Sequence, residues 1–176
     1  MAFNSRIPDF RMVTRTHVKS ITSNVIIAAA AYIAGYHFTE LFQSHTSQIG
    51  GLWAVISGII VYEDSRSKAL TSAKLRVIGS FIGALISGVY LYFFPFTVVG
   101  YVVCIGVGAL ICHLLRLPDH IKLTGVTISV IMIVSLISYN ADPVMNAALR
   151  FVESVIGTAV AVIVAYAVSA GWGEEL

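Results

Sequence analysis

Charge is what this chain lacks most. Only 11% of its 176 residues are Asp, Glu, Lys or Arg, and 57% are hydrophobic; a soluble domain runs near a quarter charged and half apolar. So little polar surface cannot cover an exterior that faces water, which excludes a soluble globular domain and indicates an all-α integral membrane protein in contact with the lipid bilayer. Cysteine is scarce too. Cys104 and Cys112 stand eight residues apart in one apolar run, about 12 Å along a helix, too far for a disulfide. They read as small packing residues. The chain has no glycine-rich nucleotide loop, no zinc-type cluster and no Ser/His/Asp set, so no cofactor, metal or enzymatic activity is expected. His113, Asp119 and His120 lie near one another, but Pro118 and the leucines around them do not make a metal-ligand spacing.

What is there in abundance is apolar length. Runs cover Ile21–Tyr36, Ile49–Tyr62, Leu75–Phe94, Phe96–Leu115, Leu123–Tyr139 and Val144–Ala170. A spanning helix needs roughly 20 residues, or about 17 at the short end. Four runs meet that, and the first two must borrow flanking Ser, Thr and Gln. The expectation is six transmembrane helices, with the first retained rather than cleaved as a signal peptide. Residues 1–20 and 171–176 flank a membrane domain over 21–170.

The basic residues sort by side. Arg6, Arg11, Arg15 and Lys19 precede the first run. Arg66, Lys68, Lys74 and Arg76 follow the second, and Arg116 and Lys122 follow the fourth. Six spans put all ten on one side and leave Arg150 alone on the other, which by the positive-inside rule makes both termini cytoplasmic in an inner (plasma) membrane. This distribution accounts for the basic residues without a nucleic acid partner.

Two strings repeat. "LRVIGSFIG" at 75–83 and "LRFVESVIG" at 149–157 open the third and sixth runs, 74 positions apart. Three spans separate them, and an odd number reverses direction through the membrane. The halves, about 21–94 and 96–170, therefore read as inverted three-helix repeats, an arrangement common in transporters. A weaker echo, Ile-Ser at 56–57 and at 128–129, agrees. On a helix, Arg76, Gly79, Ser80, Gly83, Ala84 and Ser87 fall along one face, as do Arg150, Glu153, Ser154, Gly157, Thr158 and Ala161. Both faces are small and polar, which predicts helix packing through Gly79, Gly83 and Gly157, with bulky residues left for lipid. Gly100, Cys104, Gly108 and Cys112 form a similar row.

The repeat keeps the arginine but replaces Gly79 by Glu153. A charge at membrane depth costs roughly 2.5 kcal/mol or more and must find a partner or water. Arg150 and Glu153 lie near one end of their span, where both can snorkel outward. They read either as an interfacial ion pair locking helices or as a substrate gate or proton site. Glu63 and Asp64, at the end of the second span, and His113, at the end of the fourth, are weaker gating candidates. His37 and His45 read as solvated loop residues, and Trp53 as an interface anchor.

The basic approach to the first span, "GLWAVISGIIVYEDSRSKALTSAKLRVIGSFIGALISG" (51–88) and "ALRFVESVIGTAVAVIVAY" (148–166) together resemble the membrane domain of fusaric acid resistance (FUSC)-like and aromatic acid exporter proteins, including their plant malate-channel branch. The resemblance covers roughly 13–170. It implies efflux or passive transport of small organic, often aromatic, anions through homo-oligomers, and it carries over at Arg76, Gly79, Gly83, Arg150, Glu153 and Gly157. Many members have a proline where this chain has Glu63-Asp64, and a cytoplasmic domain beyond the sixth span. The expected function is transport of small organic anions, with Arg76 and Arg150 attracting charge at the two mouths. A non-transporting membrane scaffold or accessory subunit is the alternative.

The charge asymmetry predicts the side of each loop. With Cys104 and Cys112 replaced, a cysteine at Ser44 is expected to react with an impermeant thiol reagent added outside intact cells. Labelling only after the cytoplasmic side is opened would reverse the orientation.

Overall fold

The computed structural model describes residues 10–138 and 142–172. Within them lie six α-helices and no strand: α1 (Phe10–Glu40), α2 (Ser47–Val61), α3 (Arg66–Phe93), α4 (Val98–Leu114), α5 (Ile121–Ile137) and α6 (Pro143–Trp172). Single 3-10 turns at Ser44–Thr46 and Pro118–His120 lead into α2 and α5. Of the cytoplasmic segments expected at 1–20 and 171–176, residues 1–9 and 173–176 fall outside the described residues, and 10–20 and 171–172 continue α1 and α6.

Among the described residues, four helical segments are by length and composition able to cross a membrane: His17–Glu40, Arg66–Phe93, Pro118–Ile137 and Pro143–Ala170. The other two helices are shorter. α4 has 17 residues and α2 has 15, or about 25 Å and about 22 Å at 1.5 Å per residue. More than half of α2 is buried, so protein rather than lipid meets most of its surface. Its ends therefore face fewer lipid tails than a peripheral helix of that length would.

Helix boundaries overrun the apolar runs. α1 and α3 begin about ten residues earlier than their apolar stretches, because Arg, Lys and Ala are good helix formers and the extensions continue the same backbone ladder. The Arg66 guanidinium sits over the Tyr166 ring at 5.1 Å and holds the start of α3 against the end of α6. Caps close other ends. The Thr97 hydroxyl accepts from the Gly100 N–H at 3.0 Å at the start of α4. Asp142 does the same for the Met145 N–H at 2.7 Å, with Pro143 as the first residue of α6. α4 ends where Arg116 turns left-handed (φ 59°) and the Leu117 N–H returns to the Cys112 carbonyl at 2.8 Å.

α3 and α6 cross at the centre. α6 also lies against α1 and α2, and α3 against α4 and α5, while α1 pairs with α2 and α4 with α5. Neither α1 nor α2 touches α4 or α5 among the described residues. The crossing uses the small faces: every residue of the two six-residue rows that begin at Arg76 and Arg150 is buried. Gly100, Cys104, Gly108 and Cys112 are the buried row of α4. The bulky residues between these rows, such as Phe81, Leu85 and Ile163, are exposed on the outside of the bundle, as lipid-facing positions should be. Apolar cores fill the two flanks. Ala84, Leu91, Cys104, Ile128 and Met132 pack between α3, α4 and α5; Ile27, Val61, Ala161 and Val164 pack between α1, α2 and α6.

The close approaches lie within this one chain. A Cβ on Gly157 would collide with the Ala54 carbonyl of α2, and one on Gly83 would stand 2.8 Å from the Thr124 carbonyl of α5. Both contacts are to backbone, which cannot move aside. Gly157→Leu is therefore expected to abolish folding, with a cost above the usual ~1–3 kcal/mol of overpacking. Leu85→Val, on the exposed face, should purify and melt like the wild type. Equal melting temperatures for both variants would show that the α2–α6 contact is loose.

Candidate functional site

The opening charges of the two repeated strings are fully buried. Arg76, Arg150 and Glu153 each have 0% exposure. This corrects two expectations. Arg76 is not a loop charge or a mouth residue, because the N-terminal extension of α3 carries it a full ten residues into the helix. Arg150 and Glu153 do not snorkel to an interface, because α1 and α2 close over the α6 face that bears them.

Their i, i+3 spacing puts Arg150 and Glu153 on one face of α6. Nη2 of Arg150 stands 2.9 Å from Oε1 of Glu153. The same carboxylate oxygen accepts from the Thr39 hydroxyl of α1 at 2.5 Å. It fits because α2 has Gly50 at that point: a Cβ there would meet both Thr39 and the Glu153 carboxylate. The Arg150 N–H groups are not well directed at any acceptor, and Oε2 of Glu153 has no hydrogen-bond partner among the described residues. The pair is held by charge more than by aligned hydrogen bonds.

Arg76 is placed differently. Its Nη2 donates to the Ser57 hydroxyl at 2.8 Å, and its guanidinium lies over the Trp53 ring at 4.6 Å. Nε and Nη1 have no partner among the described residues. Trp53 is buried, not an interface anchor; its indole N–H donates to the Arg150 carbonyl at 2.8 Å. One indole thus bridges the two arginine positions. Between them the Ser80 and Ser154 hydroxyls meet at 2.8 Å, and Thr127 of α5 reaches Ser80 at 3.4 Å. Asn146 adds a clamp from α6 to α5, donating to the Ile131 carbonyl at 3.1 Å and to Ser135 at 2.9 Å.

The remaining candidates stand apart from this cluster. Glu63 and Asp64 occupy the α2–α3 turn, where Asp64 is exposed and accepts from the Tyr62 hydroxyl at 3.2 Å. His113 is exposed in the last turn of α4. His37 belongs to the last turn of α1 rather than a loop, beside Glu40 at 3.2 Å. Gly79, Gly100 and Gly108 meet α5, Tyr90 and Ile128 respectively. No group of three His, Cys, Asp or Glu residues able to hold a metal occurs among the described residues. An apolar groove of about 370 Å³ runs between the C-terminal half of α3 and the N-terminal half of α6, edged by Phe81 and Phe151. It holds no charged side chain.

The pattern of fusaric acid resistance protein-like sequences matches residues 24–164. The chain belongs to that family. The match takes in most of α1, all of α2 to α5 and α6 through Val164, including the whole buried cluster. No curated protein and no solved structure matches this member of the family.

Arg150→Gln strands a buried carboxylate and is expected to cost about 3–5 kcal/mol, read as a lower melting temperature in detergent. Adding Glu153→Gln should recover most of that loss. If the double variant melts no higher than the single, the pair is not electrostatic.

Proposed function

We propose that this protein is a transport module for small organic anions, built from two inverted three-helix repeats spanning the membrane six times, with its path along the α3–α6 seam. The carrying observation is the charge count inside the bundle: among the described residues, two fully buried guanidinium groups, Arg76 and Arg150, stand against one buried carboxylate, Glu153. Buried charges that serve only the fold are paired, and charges inside membrane segments mark substrate or ion pathways. A surplus of positive charge at membrane depth calls for an anion. Membership of the fusaric acid resistance protein-like family supports a membrane transport role.

Several features support the repeat. The ends of α1 and α4, both 3-10 turns, and the starts of α2 and α5 recur at a single offset of 74 positions. The same pairs of helices meet when α1, α2 and α3 are exchanged for α4, α5 and α6, though α1 and α2 pack more extensively than α4 and α5. Ser80 and Ser154, also 74 apart, touch each other, as residues on a two-fold axis must. The Ile-Ser echo at 56–57 and 128–129 lies two residues out of this register. Ser57 matches Ile131 instead, and both are buried.

Against the scaffold alternative stands the use of the small faces. They are consumed inside the chain, and the faces left outside are bulky and apolar.

Reconstitution tests the reading. Vesicles carrying the protein should take up benzoate or malate faster than protein-free vesicles, by at least tenfold over choline uptake. A pH gradient shows whether protons are coupled. Fluxes no faster than those of protein-free vesicles for every solute, from folded protein, would leave the scaffold role.

A further inference from the structure

We infer that Arg76, with Ser57 and Trp53, forms a carboxylate-binding half-site, and that Glu153 is a tethered carboxylate filling the equivalent half-site at Arg150. The inference rests on the anion-transport reading and says where the anion binds and why only one is needed.

The two arginines occupy equivalent places. Each stands four residues before its serine, and the serines meet each other at 2.8 Å. Each guanidinium is fully buried. Nε and Nη1 of both lack a hydrogen-bond partner among the described residues; what differs is the counter-charge. Arg150 has a carboxylate at 2.9 Å, whereas Arg76 has a hydroxyl and an indole face. A neutral hydroxyl and a ring face do not balance a buried cation.

The packing explains why no side chain supplies the second carboxylate. The counterpart of Glu153 is Gly79. A Cβ there would stand 2.8 Å from Leu123 and 3.3 Å from the Thr124 backbone nitrogen. The counterpart of Thr124 is Gly50, whose missing side chain leaves the space that Glu153 and Thr39 fill. The two halves thus pack differently at this point. One half has a large α6 residue over a glycine of α2; the other has a glycine of α3 pressed against the backbone of α5 and the Leu123 side chain. The first arrangement brings its own anion. The second shuts out any internal one, so the anion for Arg76 comes from solution.

The ligand is therefore defined by one carboxylate group. It exchanges a hydrated carboxylate for a charge-assisted contact with a guanidinium. Access requires α2 and α3 to part, and these neighbours in sequence share only a small contact. In the filled half, a solute carboxylate that reaches Arg150 must displace Glu153, so the tethered group acts as a gate by competition.

Trp53 reports on the site directly. The chain has two tryptophans, and Trp172→Phe leaves Trp53 alone. Acetate, titrated at constant ionic strength against chloride, should change Trp53 emission saturably. Arg76→Gln should abolish the change, and Arg76→Lys should raise the half-saturating concentration at least tenfold. Arg76→Met, which keeps much of the volume and removes the buried charge, should also abolish the acetate response without lowering the melting temperature. A response with an unaltered midpoint in Arg76→Gln, or in folded Arg76→Met, overturns the half-site. So does the absence of any response in the wild type. Flux separates the two levels. Vesicles that carry acetate while Arg76→Gln keeps the Trp53 response refute the half-site and leave transport standing. An Arg76-dependent response without flux upholds the half-site and refutes transport.

Discussion

The close approach of α3 and α6 at their small-residue faces is the constraint on which the rest of the molecule depends. It brings two backbones close enough for the Ser80 and Ser154 hydroxyls to meet. That closeness leaves no room for lipid and little for water, so whatever charge sits on the same faces is buried with them. Arg76 and Arg150 are one helical turn from the crossing on either side. The seam closes one side of each, and α1 and α2 close the rest. The bulky residues then have nowhere to go but outward, toward the bilayer.

The short helices take their place from the same constraint. α2 and α5 each lie over the seam and supply what the long helices lack: a hydroxyl and an indole for Arg76 from α2, and Thr127 beside the serine pair from α5. α2 is also where the bundle is tightest. Gly157 meets the Ala54 carbonyl there and Gly58 meets Ile27, so this 15-residue helix is gripped by α1 and α6 along most of its length. A helix so enclosed can be shorter than the bilayer is thick, since the protein around it makes up the difference.

Much of this was legible in the sequence, and the part that was not has a common cause. The six-residue rows on α3 and α6 follow from a 3.6-residue period, and all twelve positions are buried. Helix number and order follow from apolar runs and the turns between them. The failures concern partners. Thr39 and Ser57 sit 114 and 19 positions from the charges they bind, and nothing in a linear pattern joins them. Trp53 looked like an interface residue because tryptophan usually anchors there; its burial depends on α6 lying across it. Arg76 looked like a loop charge because hydropathy begins at Leu75, yet the helix had begun at Arg66. Periodicity reads one helix at a time, and a site shared by α1, α2, α3 and α6 is visible only once they are packed.

The two ends of the α3–α6 seam are unlike. Glu153 stands over Gly50 at the Arg150 end, and Gly79 meets the backbone of α5 at the Arg76 end, so among the described residues one end carries a paired charge and the other a lone cation. Arg150 and Glu153 both belong to α6, so parting the helices at that end breaks the Thr39 bond and wets a neutral pair, whereas parting them at the Arg76 end wets a guanidinium with no counter-charge beside it. The two ends of the seam thus differ in what it costs to admit water, and the difference is set by which of the two duplicated strings carries the acid.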